Sequence, residues 1–260
     1  MQQAGNIEKH QGGTSSAEDA SQQKSHYIRL ISGGILWVIA IVAMVMLSLF
    51  AHSHFQPVPF ELTTSKDIQA LSIPSAIQAI MRWFTAINDP IPDTITVIIM
   101  VAILAILRKF KAAIFLALCA GIGDAADAVI GDLVQRPRPS PHLIHVDSLL
   151  KFNSFPSGHS CHMMVFYGFL LFLSFTRPVR QWKYRGALIP LQIYAIITIL
   201  IMGFARIWEG EHWITDVAGG YVDGLIWMLL FIFLYSWTTR KLEERRARKA
   251  GKQALGQAVS

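Results

Sequence analysis

The chain has 260 residues, 53% of them hydrophobic and only 15% charged, with a formal net charge of +6. Its mean hydropathy is +0.41. Soluble domains carry nearer a quarter charged residues, so this composition argues against a water-soluble enzyme and against a largely disordered chain. The positive balance does not mark a nucleic-acid binder either, because the cations are spread between apolar runs rather than gathered on one segment.

Residues 1–26 are rich in Gln, Ser and Gly and are expected to be disordered. The apolar run at 31–50 follows this polar stretch and is longer than a signal-peptide core, so it reads as a membrane span and not as a cleaved signal. Five more runs follow, at 94–107, 112–134, 160–175, 187–205 and 217–237; the run at 94–107 extends back toward Ile91 and that at 160–175 toward Ser157. A helical span takes about 20 mostly apolar residues. The expected fold is all-α, a bundle of six transmembrane helices, with a cytoplasmic tail over 1–28, a membrane domain over 29–238 and a basic tail over 239–260.

Between the first two runs, Ile68, Leu71, Ile73, Ile77, Ile80, Met81 and Phe84 recur at a rough helical period, interrupted at Pro74. This predicts an amphipathic helix lying at the outer interface; a helix packed over the bundle fits the same pattern. Of the 23 Lys and Arg residues, 17 flank one set of span ends and six the other. The positive-inside rule then puts both termini in the cytoplasm. Cys119 and Cys161 fall inside apolar runs and read as packing residues rather than a disulfide or a metal site.

Three polar clusters interrupt the apolar chain: Arg136-Pro137-Arg138-Pro139, Pro156-Ser157-Gly158-His159, and Arg206 with His212 and Asp216. With the termini inside, each cluster falls at an outer end of a span, so all three share one face. A lone arginine there would ordinarily be a snorkelling anchor, and a lone His–Asp pair four residues apart is weak evidence of chemistry. Together they form a phosphate-handling set. Arginine forks suit phosphate oxygens. A helix start at Ser157-Gly158 offers free backbone N–H groups to an anion, where an ordinary Ser cap is the plainer reading. A carboxylate such as Asp216 that fixes one ring nitrogen of His212 makes the other a better nucleophile. The pattern has one histidine attacking phosphorus and the other protonating the leaving group, within a cradle of cationic and amide donors. No Asp/His/Glu cluster has a two-metal spacing, so neither metal nor other cofactor is expected.

The three clusters resemble the tripartite signature of the type 2 phosphatidic acid phosphatase superfamily, which also holds the vanadium haloperoxidases and glucose-6-phosphatase. Pro156 to His159 match its second part fully, Arg138-Pro139 the end of its first, and Arg206, His212 and Asp216 its third in spacing. The resemblance covers roughly residues 60–237 and implies a membrane lipid phosphatase. It implies His212 as the nucleophile, Asp216 as its orienting partner and His159 as the general acid, with Arg138, Arg206, Ser157 and the Gly158 amide on the phosphate.

Two family positions differ: a lysine seven residues before Arg138 is Gly131 here, and a serine before Arg206 is Ala205. Arg136 is the preferred replacement for the lysine; the alternatives are Lys151, or a site that runs with only Arg138 and Arg206. Asp124, Asp127 and Asp132 in the third run, and Asp223 in the sixth, are costly at membrane depth; they are expected to pair in the bundle or stay protonated. Glu209 and Glu211 flank the third cluster and could repel or select head groups.

The expected function is hydrolysis of a lipid phosphate or pyrophosphate, of the undecaprenyl pyrophosphate, phosphatidic acid or phosphatidylglycerol phosphate class, at the outer face of the cytoplasmic membrane. A lipid phosphotransferase using the same phosphohistidine, and a non-catalytic lipid-phosphate binder or transporter, are the alternatives. Expected partners are the lipid substrate and membrane lipids, without nucleic acid; the oligomeric state stays open.

Overall fold

Proline placement explains several helix starts. Pro59, Pro90 and Pro190 stand in the first turns of their helices, where a missing N–H costs nothing and a fixed φ suits the helix. In a computed structural model, which describes residues 31–259, the chain is all-helical. In chain order the elements are α1 (Ile31–Ser53), α2 (Pro59–Gln69), α3 (Ser75–Ile87), α4 (Pro90–Ile106), α5 (Phe110–Val134), α6 (Gly158–Ser174), the single turn α7 (Arg177–Arg180), a 3-10 turn over Arg185–Leu188, α8 (Ile189–Trp208) and α9 (Ile214–Val259). The tail expected to be disordered lies outside the described residues.

Helices occupy all six expected apolar runs, but the count of six spans is not confirmed. Among the described residues, four helical stretches are long and apolar enough to cross a membrane: Ile31–Ser53, Phe110–Val134, Arg185–Trp208 and the apolar part of α9. A fifth is obtained if α3 and α4, bent by 67° at their junction, count as one broken span. The shortfall is one of length. At 1.5 Å per residue, the 17 residues each of α4 and α6 reach only about 25 Å, less than a hydrocarbon core of about 30 Å.

The predicted break at Pro74 appears as the gap between α2 and α3. The single interfacial helix expected there is therefore two helices. One face of α3 is buried through Met81, Phe84 and Thr85, while Ile77, Ile80 and Trp83 remain exposed. Helix α9 runs on through the basic tail to Val259, with residues 241–253 exposed.

Within residues 40–259, α6 is the central element and packs on α5, α8 and α9. Its Met163, Phe166 and Phe169 meet Leu116 and Cys119 of α5, Met202 of α8 and Phe231 of α9 in one buried cluster. In lipid, such packing relies on close fit rather than on removing apolar surface from water. Gly220 of α9 shows how close the approach is: a Cβ there would lie 2.3 Å from the carbonyl oxygen of Ser157 at the head of α6. Both cysteines are fully buried and form no disulfide.

Candidate active site

The site is assembled from the α5–α6 connection, the first turn of α6, and the short turn between α8 and α9. Helix α5 ends at Gln135 in a left-handed conformation (φ 54°), and Pro137 and Pro139 prevent any continuation. The following loop is tied to the α8–α9 turn. The Asp147 N–H donates to the Glu209 carbonyl (2.9 Å), and the Gln69 amide from α2 donates to the carbonyls of His145 (2.8 Å) and Trp208 (3.1 Å). Gly210 makes this junction possible. It has φ +71°, and a Cβ there would stand 1.9 Å from the His145 oxygen, so only glycine fits.

His212 is 1% exposed. Its Nδ1 lies 2.7 Å from the Ser154 carbonyl oxygen, while its buried Nε2 has no hydrogen-bond partner. Nδ1 therefore donates, leaving the Nε2 lone pair free. Buried orphan nitrogens are costly, and a nucleophile waiting for phosphorus is one reason to keep such an atom. Burial, then the charges of Arg138 and Arg206, hold the His212 pKa well below the usual histidine value, so the ring stays neutral near pH 7.

Around it stand the other predicted groups. Arg206 Nη1 lies 3.3 Å from His159 Nε2, and Asp89, just before α4, reaches His159 Nε2 at 3.4 Å. Arg138 donates to the Phe152 and Glu211 carbonyls, each at 3.1 Å. Ser157 is buried and its Oγ accepts a hydrogen bond from Ser160 (3.2 Å). Because the Ser157 side chain does not cap α6, the first N–H groups of that helix are available to an anion. Gly158 is exposed at this point. Arg138, Arg206, His159 and His212 thus lie close together.

Two expectations do not survive the geometry. Arg136 was the preferred substitute for the absent lysine, but it is 0% exposed. Its Nε donates to the His54 carbonyl (3.2 Å), Nη1 to Thr215 (2.7 Å) and Asp216 (2.8 Å), and Nη2 to Glu61 (2.8 Å). Every nitrogen is committed, and Glu61 and Asp216 together outweigh burial to hold its pKa above the usual arginine value. Four of its five N–H donors are spent and the side chain is fully buried, so it presents no fork to a phosphate. Lys151 is exposed, and Arg138 and Arg206 remain as the guanidinium pair near His212.

The second concerns Asp216, expected to hold a ring nitrogen of His212. Its Oδ2 stands 4.0 Å from Nδ1, beyond hydrogen-bond reach, because that carboxylate is engaged by Ser154 Oγ (2.5 Å) and the Trp213 N–H (2.9 Å), with Arg136 on its other oxygen. Asp216 instead holds Ser154, whose backbone carbonyl orients His212. Glu61, which sequence reading passed over, completes this buried set: it bonds Arg136 and, by a very short contact, Thr215.

Among the carboxylates at membrane depth, Asp124 meets a histidine, while Asp127 Oδ1 is buried without a hydrogen-bond partner. His162 of α6 lies 2.8 Å from Asp124 and 2.7 Å from Asp93. Asp132 accepts from Asn153 at 3.2 Å. Asp127, Cys161 and Asp223 bring one donor atom each within 4.8 Å of one another.

The PAP2 superfamily model matches residues 110–241, which is half of the chain, and the chain belongs to that superfamily. Among curated proteins it is 29% identical over 124 residues to the bacitracin transport permease protein BcrC of Bacillus licheniformis, covering 46% of this chain and 52% of that one. It is 27% identical over 124 residues to phosphatidylglycerophosphatase B of Bacillus subtilis, covering 47% and 58%. These matches therefore span just over half the length of those relatives. The crystal structure of a transmembrane PAP2-type phosphatidylglycerolphosphate phosphatase from Bacillus subtilis superposes with a TM-score of 0.60 at 22% identity, covering 77% of this chain and 96% of that one. The two share a fold.

Proposed function

We propose that the protein is a membrane phosphatase that hydrolyses lipid phosphates through a phosphohistidine. The observation that carries this reading is the buried, unpartnered Nε2 of His212 among Arg138, Arg206 and His159. In the first step Nε2 attacks phosphorus, the bond from phosphorus to the leaving oxygen breaks, and His159 delivers a proton to that oxygen. In the second, water attacks the phosphohistidine, His159 takes the water proton, and inorganic phosphate leaves with His212 restored. Arg138, Arg206 and the α6 amides hold the three equatorial oxygens as charge redistributes. These cations and amides can supply that stabilisation without a metal ion.

The superfamily membership and the name of the Bacillus subtilis phosphatidylglycerophosphatase support a lipid phosphate as substrate. The charge bias of the sequence supports both termini in the cytoplasm and a site on the outer face. The test is phosphate release by the purified protein from phosphatidate, phosphatidylglycerol phosphate and undecaprenyl pyrophosphate, with and without EDTA. Release that survives EDTA and disappears in His212→Ala is expected. Equal release by the variant would defeat the reading, and loss of release in EDTA would defeat its metal-free form.

A further inference from the structure

The proposed phosphate cradle is already occupied by the chain's own carboxylates. Arg206 Nη2 lies 2.5 Å from Glu209 Oε2, and Arg206 Nη1 lies 3.1 Å from Glu211 Oε2. The same Glu211 oxygen stands 3.7 Å from Arg138 Nη1. Both glutamates are almost fully buried, at 3% and 5% exposure, and Thr85 donates to the free oxygen of Glu209 at 3.0 Å. The two guanidinium charges that would hold a phosphoryl group are therefore matched by two fixed anions.

Beside them lies a cavity of about 190 Å³ lined by Asp89, Asp147, Glu209 and Glu211, with Arg206 as its one cationic wall. Its position relative to the reaction matters. His159, the leaving-group acid, is in contact with Asp89 of that wall (3.4 Å). On this geometry the leaving group departs on the acid-lined side. A leaving alcohol is neutral and meets no penalty there. With Arg206 and Arg138 already matched by Glu209 and Glu211, a leaving lipid monophosphate, as a diphosphate would release, is an anion that finds no unmatched cation on this wall and faces Asp89 and Asp147 besides, and like charges repel strongly away from bulk water.

We propose that Glu209 and Glu211 make this site selective for lipid phosphomonoesters over lipid diphosphates. The inference rests on the phosphatase reading above and names the substrate class of that same site.

The experiment compares kcat/KM for farnesyl phosphate and farnesyl diphosphate, which share a tail, in EDTA so that no cation masks the second phosphate. The wild-type protein is expected to prefer the monoester tenfold or more. Glu209→Gln and Glu211→Gln are each expected to narrow that ratio fivefold or more, chiefly by lowering KM for the diphosphate. A wild-type preference for the diphosphate, or an unchanged ratio in both glutamine variants, would overturn the proposal. If neither variant folds, the wild-type ratio decides together with Asp147→Asn at the partly exposed cavity wall, whose failure to narrow the ratio also counts against it. Absence of His212-dependent release from both substrates is a different result: it removes the phosphatase reading and this proposal with it.

Discussion

Arg136 and Arg138 are two residues apart and chemically identical, yet the fold gives them opposite work. Arg136 neutralises Glu61 and Asp216 where neither carboxylate meets water. Arg138 is 15% exposed at the site and bonds mostly to backbone carbonyls. Removing one partner of a buried charge set costs about 3–5 kcal/mol. Arg136→Ala is accordingly expected to lower the thermal midpoint in detergent sharply and to reduce activity only as a consequence of that. Arg138→Ala should leave the midpoint nearly unchanged and reduce kcat by about 100-fold, the scale seen when one preorganised donor is lost. Thermal unfolding and turnover, measured on both variants, separate the two roles.

The same reasoning fixes a pH dependence. His212 must be neutral to attack, and burial with the nearby arginines depresses its pKa. The acid limb of kcat/KM assigned to His212 should therefore lie well below 6.5. Replacing Arg138 by Gln removes a positive charge, makes protonation easier and should move that limb toward neutral pH in the residual activity. A pH–rate profile in which the limb stays put, or moves to lower pH, would contradict the electrostatic account. The sequence could flag both arginines but could not tell them apart, because the distinction is made by Glu61, a carboxylate 75 positions away from Arg136. The contact between Asp216 and Ser154, 62 positions apart, was hidden for the same reason.

At the scale of elements, periodicity and punctuation located nearly every helix. The break at Pro74, the end of α5 before Pro137, and the start of α6 at the Ser157-Gly158 pair were all legible. The number of spans was not, since an apolar run of 17 residues can be a short span, half of a bent pair or a buried core helix, and tertiary packing decides among these. The meeting of α6 and α9 was equally invisible, although it sets the position of the helix start proposed to bind the phosphate. It depends on Gly220, where a Cβ would meet the Ser157 oxygen at 2.3 Å. Gly220→Ala should push the head of α6 away from the cradle, cost about 1–3 kcal/mol, and raise KM as well as lower stability. Unchanged kinetics and an unchanged unfolding midpoint would show that the two helices are not held this tightly.

For the whole molecule, orientation in the membrane is the property most dependent on charge distribution, and it is open to a direct check. Ser140 lies in the connection between α5 and α6, on the same side as the candidate site, and the native cysteines Cys119 and Cys161 are fully buried. In intact cells, Ser140→Cys should react with a membrane-impermeant maleimide, whereas a cysteine at Gly251 should react only after the membrane is opened. The reverse pattern would invert the topology and put the site in the cytoplasm. Above all, the account requires a covalent bond between phosphorus and His212. Acid-labile, base-stable label should be recovered on the peptide containing His212 when the protein is quenched during turnover of phosphatidate labelled with ³²P, and no label should appear in His212→Ala. Steady phosphate release by His212→Ala, or label recovered on a different residue, would contradict it.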